Sequence, residues 1–428
     1  MNLLKHTLSA LMLVASSTFA CSFVGELDTN GKFPAVVIVG TQLGEDPSRC
    51  SGTALTRRLV ITAAHCLWVH GHYGSNILIA YRTKDEKGEE ILTPAPARRL
   101  FVSERFKELD AKLTYIDGHD SGSDSDDLTK RDSEDLGVII TDRDVPTQAD
   151  IHTILDPSLP FADALRGTTW PPNEGFHLSP LLRQTLRLIK ERIEPVYNTN
   201  IAYSAGYGRY MCDNYEDPKS CKMDSRLRWG RLRMDESWTA SIGKEGRVLL
   251  NWGHEGGGVK SMGFSPIRSG DSGGPLFLED PQSKGWLLIG VNSSGTAKTN
   301  SQSTLLHNAS FILSVIESAE HRAALQERDA IAFDVAQNPH TSQMYVGFAR
   351  GGTKSKAIAE VLDLCREVGD NDCRKISTIE SGCGYIAWTQ NGTATGYVIR
   401  AEKQEIAAFC ASENLRCGKP KGGCLLPR

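Results

Sequence analysis

At residues 59–66 the chain reads Leu-Val-Ile-Thr-Ala-Ala-His-Cys, an apolar run that ends in a histidine beside a cysteine. The apolar and β-branched residues predict a buried strand, and His65 follows that strand at once. A second cysteine, Cys50, precedes the same stretch. A histidine placed at the end of a buried strand is a candidate general base for a nucleophile from another part of the chain.

A glycine-rich turn further along reads Gly270-Asp271-Ser272-Gly273-Gly274-Pro275. Flanking glycines predict a tight turn in which the Ser272 hydroxyl projects and backbone N–H groups converge, as an acyl-transfer oxyanion requires. Serine is a poor nucleophile without a base, and His65 is the candidate. A similar triplet at residues 120–122 (Asp-Ser-Gly) lacks the second glycine and the proline and precedes no strand, so we set it aside.

Together these stretches resemble the trypsin/chymotrypsin-like serine proteases. Residues 50–55 (Cys-Ser-Gly-Thr-Ala-Leu) and 62–66 look like that family's histidine loop with its bridging disulfide, and residues 270–275 match its serine loop. The resemblance covers about residues 23–317. It implies an all-β domain with a double six-stranded antiparallel β-barrel, a Cys50–Cys66 disulfide, and an oxyanion hole made by the N–H groups of Gly270 and Ser272.

The third catalytic group must orient the imidazole, so it should be an acid that leads into a buried strand. Asp135, followed by Leu-Gly-Val-Ile-Ile, fits and resembles the family's corresponding segment. Asp126 and Asp127 are the competitors, but the polar residues after Leu128 make a poor buried strand. The spacings from His65 to Asp135 and from Asp135 to Ser272 both exceed those of the chymotrypsin template, roughly 45 and 93. Two insertions are therefore implied.

Further stretches agree with the resemblance. Residues 33–36 look like the first barrel strand, and residues 204–208 resemble the strand that opens the second barrel. The resemblance implies that Ser293, Ser294 and Gly295 belong to the strand that pairs with substrate. Ser293 is then the hydrogen-bond partner of the catalytic aspartate.

The substrate pocket departs from the family pattern. Pro266 stands where enzymes that cut after Lys or Arg carry an acid, and Arg268 replaces the usual pocket cysteine. Ser294 replaces a tryptophan beside the pocket, and Ser269 completes the predicted lining. We therefore expect a substrate pocket without a charged group. If the protein nevertheless cut after Lys or Arg, an acid from elsewhere, such as Glu279 or Asp280, would have to pair with that side chain.

The chain has 428 residues and 11 cysteines, and its formal charge of −4 gives no electrostatic case for nucleic acid binding. A short basic start, an apolar run and small residues at Thr18 and Ala20 predict a secretory signal peptide at residues 1–20. We therefore expect a secreted, periplasmic or cell-surface protein with disulfides. Cys21 follows the predicted cut, and an outer-membrane lipoprotein anchored through Cys21 is the alternative to simple secretion.

Two polar or helical stretches interrupt the predicted strands. The tract from Asp117 to Asp135 is so polar that it predicts an exposed loop, and a calcium site there is disfavoured because the glycine and terminal glutamate of a calcium loop are absent. Apolar spacing near 3.6 predicts a helix over residues 181–193 and helical structure from Ser310 to Ala330. Cys212 and Cys221 are predicted to close a local loop.

A Cys-rich C-terminal domain is predicted at residues 327–428, after the protease domain at residues 21–326. Six cysteines lie between Cys365 and Cys424, and two stretches, from 345 to 365 and from 396 to 410, each read as a strand leading into an Ala-rich helix that ends in cysteine. This weak repeat predicts a small α+β disulfide-stapled module, similar to small secreted bacterial repeat domains. Six cysteines allow 15 pairings, and their spacing disfavours zinc. The module's ligand stays open.

The expected function is that of a secreted serine endopeptidase acting on proteins or peptides, with no cofactor and no metal. An inert binding or adhesion protein on a trypsin-like scaffold is the alternative. The resemblance also implies activation of a zymogen: a cut after Ser22 would let the amine of Phe23 pair with Asp271. An internally paired Asp271 is the competing interpretation.

Overall fold

The computed structural model describes residues 25–43, 46–69, 71–85, 88–116, 125–153, 201–209, 222, 224–233, 247–251, 269–279, 284–295, 299–337, 344–367, 374–392 and 394–425. Within these ranges, no helix has the length and apolar character needed to span a membrane. Several predictions fall outside them: the signal peptide, Cys21, Phe23, the helix at 181–193, Cys212, Cys221 and Pro266.

A closed antiparallel barrel occupies the first part of the chain. Its region contains β1 (Glu26–Leu27), β2 (Val36–Leu43), β3 (Asp46–Thr56), β4 (Leu59–Thr62), β5 (Trp68–Val69), β6 (His72–Tyr73), β7 (Ser75–Lys84), β8 (Glu90–Val102) and β9 (Gly137–Thr141). Six of these strands close in the order β2-β3-β4-β9-β8-β7, with β7 pairing back onto β2. The predicted six-stranded barrel is confirmed for this half.

A second sheet follows. Its strands are β10 (Ile151–Thr153), β11 (Ile201–Gly206), β12 (Arg228–Arg233), β13 (Arg247–Asn251), β14 (Pro275–Glu279), β15 (Trp286–Gly295) and β16 (Thr299–Thr304). Together with β1 they run in the order β1-β12-β11-β14-β15-β16-β13, and β10 lies parallel to β15. Over the described residues this sheet does not close, so a second barrel is not shown.

Strands β4 and β9 are buried on both faces, which explains their continuous apolar runs. Val60 of β4 joins a core cluster with members from all six barrel strands. Its neighbours Leu59 and Ile61 face the other way and pack with residues of the second sheet such as Leu276 and Leu288. Because side chains alternate along a strand, β4 connects both cores and carries His65 at their junction.

The described part of the polar tract, residues 125–135, is not the exposed loop that its composition predicts. Helices α1 (Glu104–Ile116) and α2 (Ser125–Glu134) connect β8 to β9, and Asp132, Ser133, Glu134 and Asp135 are all buried. Burial is tolerated because these groups have partners: Glu134, for instance, accepts a hydrogen bond from His307 at 3.0 Å and pairs with Arg105 at 3.1 Å.

The helical stretch predicted from Ser310 to Ala330 is two helices. They are α3 (Ala309–Ile316) and α4 (Ala319–Gln326). Ser318 begins the second helix, because its side chain accepts a hydrogen bond from the N–H of His321 at 3.1 Å. The chain then leaves helical structure before the strand that begins at Ala330.

The C-terminal region contains two copies of one small unit. The first comprises β17 (Ala330–Gln337), β18 (Met344–Gly351), α5 (Lys354–Glu367) and β19 (Arg374–Ile379); the second comprises β20 (Cys383–Asn391), β21 (Ala394–Arg400), α6 (Lys403–Ser412), β22 (Arg416–Cys417) and β23 (Lys421–Cys424). In each unit a hairpin precedes the helix, and the strand that follows the helix pairs with the first strand of the hairpin.

Corresponding residues occupy corresponding places in the two units. Phe333 faces Phe348 across the first hairpin, and Trp388 faces Tyr397 across the second. A disulfide joins Cys410 of α6 to Cys417, another joins Cys383 to Cys424, and Cys365 of α5 is also disulfide-bonded. The repeat that the sequence indicates weakly is therefore a repeat of the entire unit.

The first C-terminal unit contacts the barrel through buried charges. Arg58, in the turn between β3 and β4, has a side chain with 0% exposure. Its guanidinium pairs with Asp144 at 2.6 Å and with Asp329 at 2.9 Å, and Asp329 also pairs with Arg350 of β18 at 2.8 Å. This contact lies at the end of β4 opposite the one that leads to His65.

Candidate active site

The strand before His65 and the disulfide-bonded cysteine after it fix the position of its backbone. Strand β4 ends at Thr62, and residues 64–66 form a 3₁₀ turn that carries the imidazole. Cys66 of that turn is disulfide-bonded to Cys50 of β3, the pairing that the resemblance implies. The His65 side chain nevertheless remains 27% exposed, so the turn fixes its backbone while leaving the imidazole open to solvent.

Asp135 contacts His65 through both carboxylate oxygens. Its Oδ2 lies 2.6 Å from His65 Nδ1, and its Oδ1 accepts a hydrogen bond from the His65 backbone N–H at 2.8 Å. The hydroxyl of Ser293 donates to Asp135 Oδ2 at 2.6 Å, a contact that the resemblance implies. Three donors thus compensate for the burial of a fully enclosed carboxylate, and they select the His65 tautomer with its proton on Nδ1.

The pKa values of the two groups move in opposite directions. Burial alone would lower the pKa of His65, but the charge and hydrogen bond of Asp135 outweigh it and raise that pKa above its ordinary value. Burial alone would raise the pKa of Asp135, but His65 and the Ser293 hydroxyl hold it below its ordinary value. Both shifts favour a charged carboxylate that stabilises an imidazolium.

The serine loop packs directly against the strands that lead to His65. The carbonyl oxygen of Ser272 accepts a hydrogen bond from the N–H of Ser51 at 2.7 Å. It also lies 3.8 Å from the sulfur of Cys66. Gly273 has a φ of +77°, and a Cβ there would lie 2.6 Å from the nitrogen of Ala63. Only glycine allows this close approach, which places Ser272 beside the histidine turn.

Two amides of the serine loop donate to no acceptor within the part of the chain that the structure describes: the N–H groups of Gly270 and Ser272. Their neighbours differ, because Gly273 N–H donates to the Asn292 carbonyl at 2.7 Å and Gly274 N–H to the Asp271 carbonyl at 2.9 Å. Gly270 has a φ of +96°, which suits a glycine in the turn. A pair of available N–H groups in one tight turn is what an oxyanion requires.

Asp271 points toward the end of β11. Its Oδ1 accepts a hydrogen bond from the N–H of Gly208 at 2.8 Å. Side chains at Gly206 and Gly208 would collide with this carboxylate, which accounts for glycine at both positions. Asp271 is therefore bonded within the fold, and its predicted partner, the amine of Phe23, lies outside the described residues.

Strand β15 links the serine loop to the acid. Asn292 Nδ2 donates to the Asp271 carbonyl at 3.0 Å, and its neighbour Ser293 contacts Asp135 as above. Ser294 donates to Asp132 Oδ2 at 2.6 Å. One short segment thus contacts both parts of the candidate site.

Three contributors escape sequence reasoning: Ser51, Asn292 and Asp132. Ser51 sits beside the quoted Cys50, but nothing in its neighbourhood indicates that its hydroxyl donates to the Gly270 carbonyl at 2.8 Å. Composition assigns Asp132 to an exposed loop. The available signal is the Asp-Ser-Glu-Asp run itself, which does not distinguish a buried acid from a solvated one.

Among the described residues, the others that the sequence proposed for the site, or as competitors, make no hydrogen bond or ion pair with His65 or Asp135. Ser269 is exposed, and its carbonyl accepts a hydrogen bond from Arg209 N–H at 2.9 Å. Gly295 ends β15 opposite Asn300. Helix α2 includes residues 126 and 127. Glu279, the proposed substitute for a pocket acid, accepts a hydrogen bond from the Tyr203 hydroxyl at 2.8 Å. It lies at the end of β14 away from the serine loop.

One group of potential metal ligands lies close together: atoms of Cys50, His65 and Cys66 are all within 4.8 Å of one another. The two sulfurs are bonded to each other, so neither is a thiolate able to bind zinc. These atoms therefore belong to the disulfide and the histidine turn.

Neither a family model nor a curated protein matches the chain.

Proposed function

We propose that the protein is a serine endopeptidase that cleaves peptide bonds through Ser272, His65 and Asp135. One observation carries the proposal: the 2.6 Å contact between His65 Nδ1 and the buried Asp135, formed on a turn against which the Ser272 loop packs. A histidine oriented by a buried acid is the arrangement that activates a serine hydroxyl.

The proposed reaction follows the serine-protease template. Ser272 Oγ attacks the peptide carbonyl carbon while His65 Nε2 accepts the hydroxyl proton. Asp135 stabilises the resulting imidazolium through Nδ1. The N–H groups of Gly270 and Ser272 bind the oxyanion, and His65 gives the proton to the leaving amine. A water molecule then loses a proton to His65 and attacks the acyl carbon, and the bond to Ser272 Oγ breaks as His65 returns that proton to the serine.

The proposal includes membership of the trypsin/chymotrypsin-like fold family. The closed barrel and the Cys50–Cys66 disulfide support it. In this interpretation the second sheet, which provides the serine loop and β15, corresponds to the second barrel of the family. The disulfides support folding in an oxidising compartment, so we propose a secreted or cell-surface protein, with lipidation at Cys21 as the alternative form.

A fluorophosphonate probe tests the proposal, because it labels only an activated serine. We expect the wild type to be labelled and Ser272→Ala to remain unlabelled, while Ser121→Ala, at the Asp-Ser-Gly triplet set aside above, labels like wild type. Absence of labelling in the mature, folded wild type would overturn the proposal and favour the binding-protein alternative.

Zymogen activation is part of the same proposal. A cut after Ser22 would create the Phe23 amine that could pair with Asp271 and would release the enzyme from any lipid on Cys21. The Gly208 N–H bond to Asp271 supports the competing possibility that this carboxylate needs no new amine. N-terminal sequencing of the labelled species decides: full activity with Cys21 present would rule out activation by this cut.

A further inference from the structure

Strand β15 has an irregularity where it passes the acid. Asn292 pairs with Gln302 of β16, but Ser294 pairs with Ser301, so Ser293 is an extra residue without a partner on β16. Such a bulge redirects side chains, which otherwise alternate between the two faces of a strand. Here it allows the consecutive hydroxyls of Ser293 and Ser294 to contact the same segment, residues 132–135.

The hydroxyls of Ser293 and Ser294 both approach the carboxylate of Asp132. Its Oδ2 accepts a hydrogen bond from Ser294 Oγ at 2.6 Å, and its Oδ1 lies 3.4 Å from Ser293 Oγ. The hydroxyl of Ser293 is closer to Asp135, at 2.6 Å. Ser293 has one proton to donate and gives it to Asp135, so Asp132 holds the bulge mainly through Ser294.

Asp132 also contributes charge near His65. Asp132 Oδ1 and Asp135 Oδ2 both lie near the Ser293 hydroxyl, at 3.4 and 2.6 Å, so the Asp132 carboxylate adjoins the acid that contacts the imidazole. Asp135 raises the pKa of His65, Arg131 lowers it, and Asp132 raises it by less than Arg131 lowers it. The cation of Arg131 opposes the two acids, but it is paired with Asp110 at 3.1 Å and lies over the ring of Phe106. Asp132 is only 8% exposed, so solvent screens its charge weakly.

We propose that Asp132 is a positioning residue of the proposed protease. It fixes the Ser293–Ser294 bulge, and with it the strand that pairs with an extended peptide, and it adds a second negative charge beside the His65–Asp135 pair. This inference rests on the proposed function for its substrate part only, because the electrostatic effect of Asp132 on His65 is independent of catalysis.

Three variants separate two effects of Asp132: its hydrogen bond with Ser294, called the tether below, and its negative charge. Asp132→Asn removes the charge but keeps an oxygen that accepts from Ser294. Ser294→Ala removes the tether but keeps the charge, and Asp132→Ala removes both. Glu134→Gln is the matched control, because Glu134 is another buried acid of the same segment whose partners are His307 and Arg105.

The charge is tested by following the His65 imidazole by NMR as pH is varied, in the Ser272→Ala background. We expect Asp132→Asn and Asp132→Ala to titrate His65 at lower pH than the parent, and Ser294→Ala and Glu134→Gln to leave that titration in place. An unchanged His65 titration in Asp132→Asn overturns the proposal, whether or not the wild type reacts with a fluorophosphonate.

The tether is tested by comparing an extended peptide with a short ester substrate. We expect Ser294→Ala and Asp132→Ala to raise KM for the peptide by roughly tenfold, the lower end of what a lost hydrogen bond to a charged group costs, and to raise KM for the ester by less. Equal effects on both substrates, or none, would overturn the positioning role. A wild type that cleaves neither substrate would instead refute the proposed function and with it the substrate part of this inference.

Discussion

Ser51 and Ser272 are joined by a 2.7 Å hydrogen bond from the N–H of Ser51 to the Ser272 carbonyl, although they lie far apart in the chain. Ser51 precedes the disulfide-linked histidine turn and lies next to Cys50. The bond therefore ties the candidate nucleophile to the same strand that anchors the candidate base. The relative position of Ser272 and His65 depends on this contact between β3 and the serine loop.

The Ser51 hydroxyl should be important for stability and for reactivity. It donates to the Gly270 carbonyl at 2.8 Å and accepts from the Tyr207 N–H at 3.0 Å, so Ser51→Ala leaves two buried groups unpaired. We expect the free energy of unfolding to fall by roughly 1–3 kcal/mol, measured in urea. Fluorophosphonate labelling of Ser272 should also slow. Ser314→Ala, at an exposed helix position, is the control and should change neither; normal labelling in Ser51→Ala would contradict this role.

The identity of the acid can be tested by isosteric substitution. Asp135→Asn should lower kcat by up to ~10⁴, because the amide favours the wrong imidazole tautomer. Asp126→Asn and Asp127→Asn should have little effect. Steady-state kinetics with one peptide substrate compares the three variants. If either of the last two proves the damaging change, the assignment of Asp135 is wrong.

Activity should depend on pH through His65. Only the neutral imidazole accepts the Ser272 proton, so kcat/KM should fall as pH falls through the pKa of His65. Burial lowers that pKa but Asp135 more than restores it, so this limb should lie at higher pH than for an unperturbed histidine. A pH–rate profile with its acid limb below that of ordinary histidine would contradict the prediction.

The same pair should make stability pH-dependent from both sides. The pKa of His65 is higher in the folded protein than in the unfolded chain. The contribution of His65 to the free energy of unfolding is therefore complete at pH values below its pKa in the unfolded chain, and it is lost as pH rises through its pKa in the folded protein. The pKa of Asp135 is lower in the folded protein than in the unfolded chain. Its contribution to the free energy of unfolding is therefore present at pH values above its pKa in the unfolded chain, and it is lost as pH falls through its pKa in the folded protein. Urea unfolding across pH should show both losses in wild type. If Asp135→Asn shows the same dependence, the pair does not contribute as described.

The substrate pocket should prefer uncharged side chains. The resemblance to trypsin-like proteases implies that Pro266 stands where an acid would pair with Lys or Arg, and Glu279 is bonded to Tyr203 at the far end of β14. A buried cation without a counter-charge is costly. A profiling library should therefore show faster cleavage after small or apolar P1 residues. Dominant cleavage after Lys or Arg would refute this and direct attention to another acid, such as Asp280.

The docking of the C-terminal unit should contribute to the stability of the barrel. Arg58→Met removes one partner from the buried Asp329 and the half-buried Asp144, which keep Arg350 and Arg57, and we expect a loss of about 1–3 kcal/mol in the free energy of unfolding. Arg366→Met is the control, because its pair with Asp363 is mostly exposed and should be worth no more than ~1 kcal/mol. Equal effects of the two changes would show that the buried pairs do not hold the units together.

The sequence alone determined the parts of this protein whose signals are local. His65 directly follows an apolar strand, and Ser272 stands among glycines that a tight turn requires. Both could therefore be identified as candidate catalytic residues before the fold was known. Asp135 could be chosen because a buried strand follows it. The C-terminal repeat was visible for the same reason, since strand, helix and cysteine recur at short range.

Only the tertiary structure decided which polar groups are buried. The run from Asp132 to Asp135 is as hydrophilic as a solvated loop, yet it is enclosed because Ser293, Ser294 and His307 donate to it from distant parts of the chain. Likewise, Arg58 is indistinguishable in sequence from a surface arginine. Whether a charge can be buried depends on partners brought by distant strands, and that information lies in the packing rather than in the neighbouring residues.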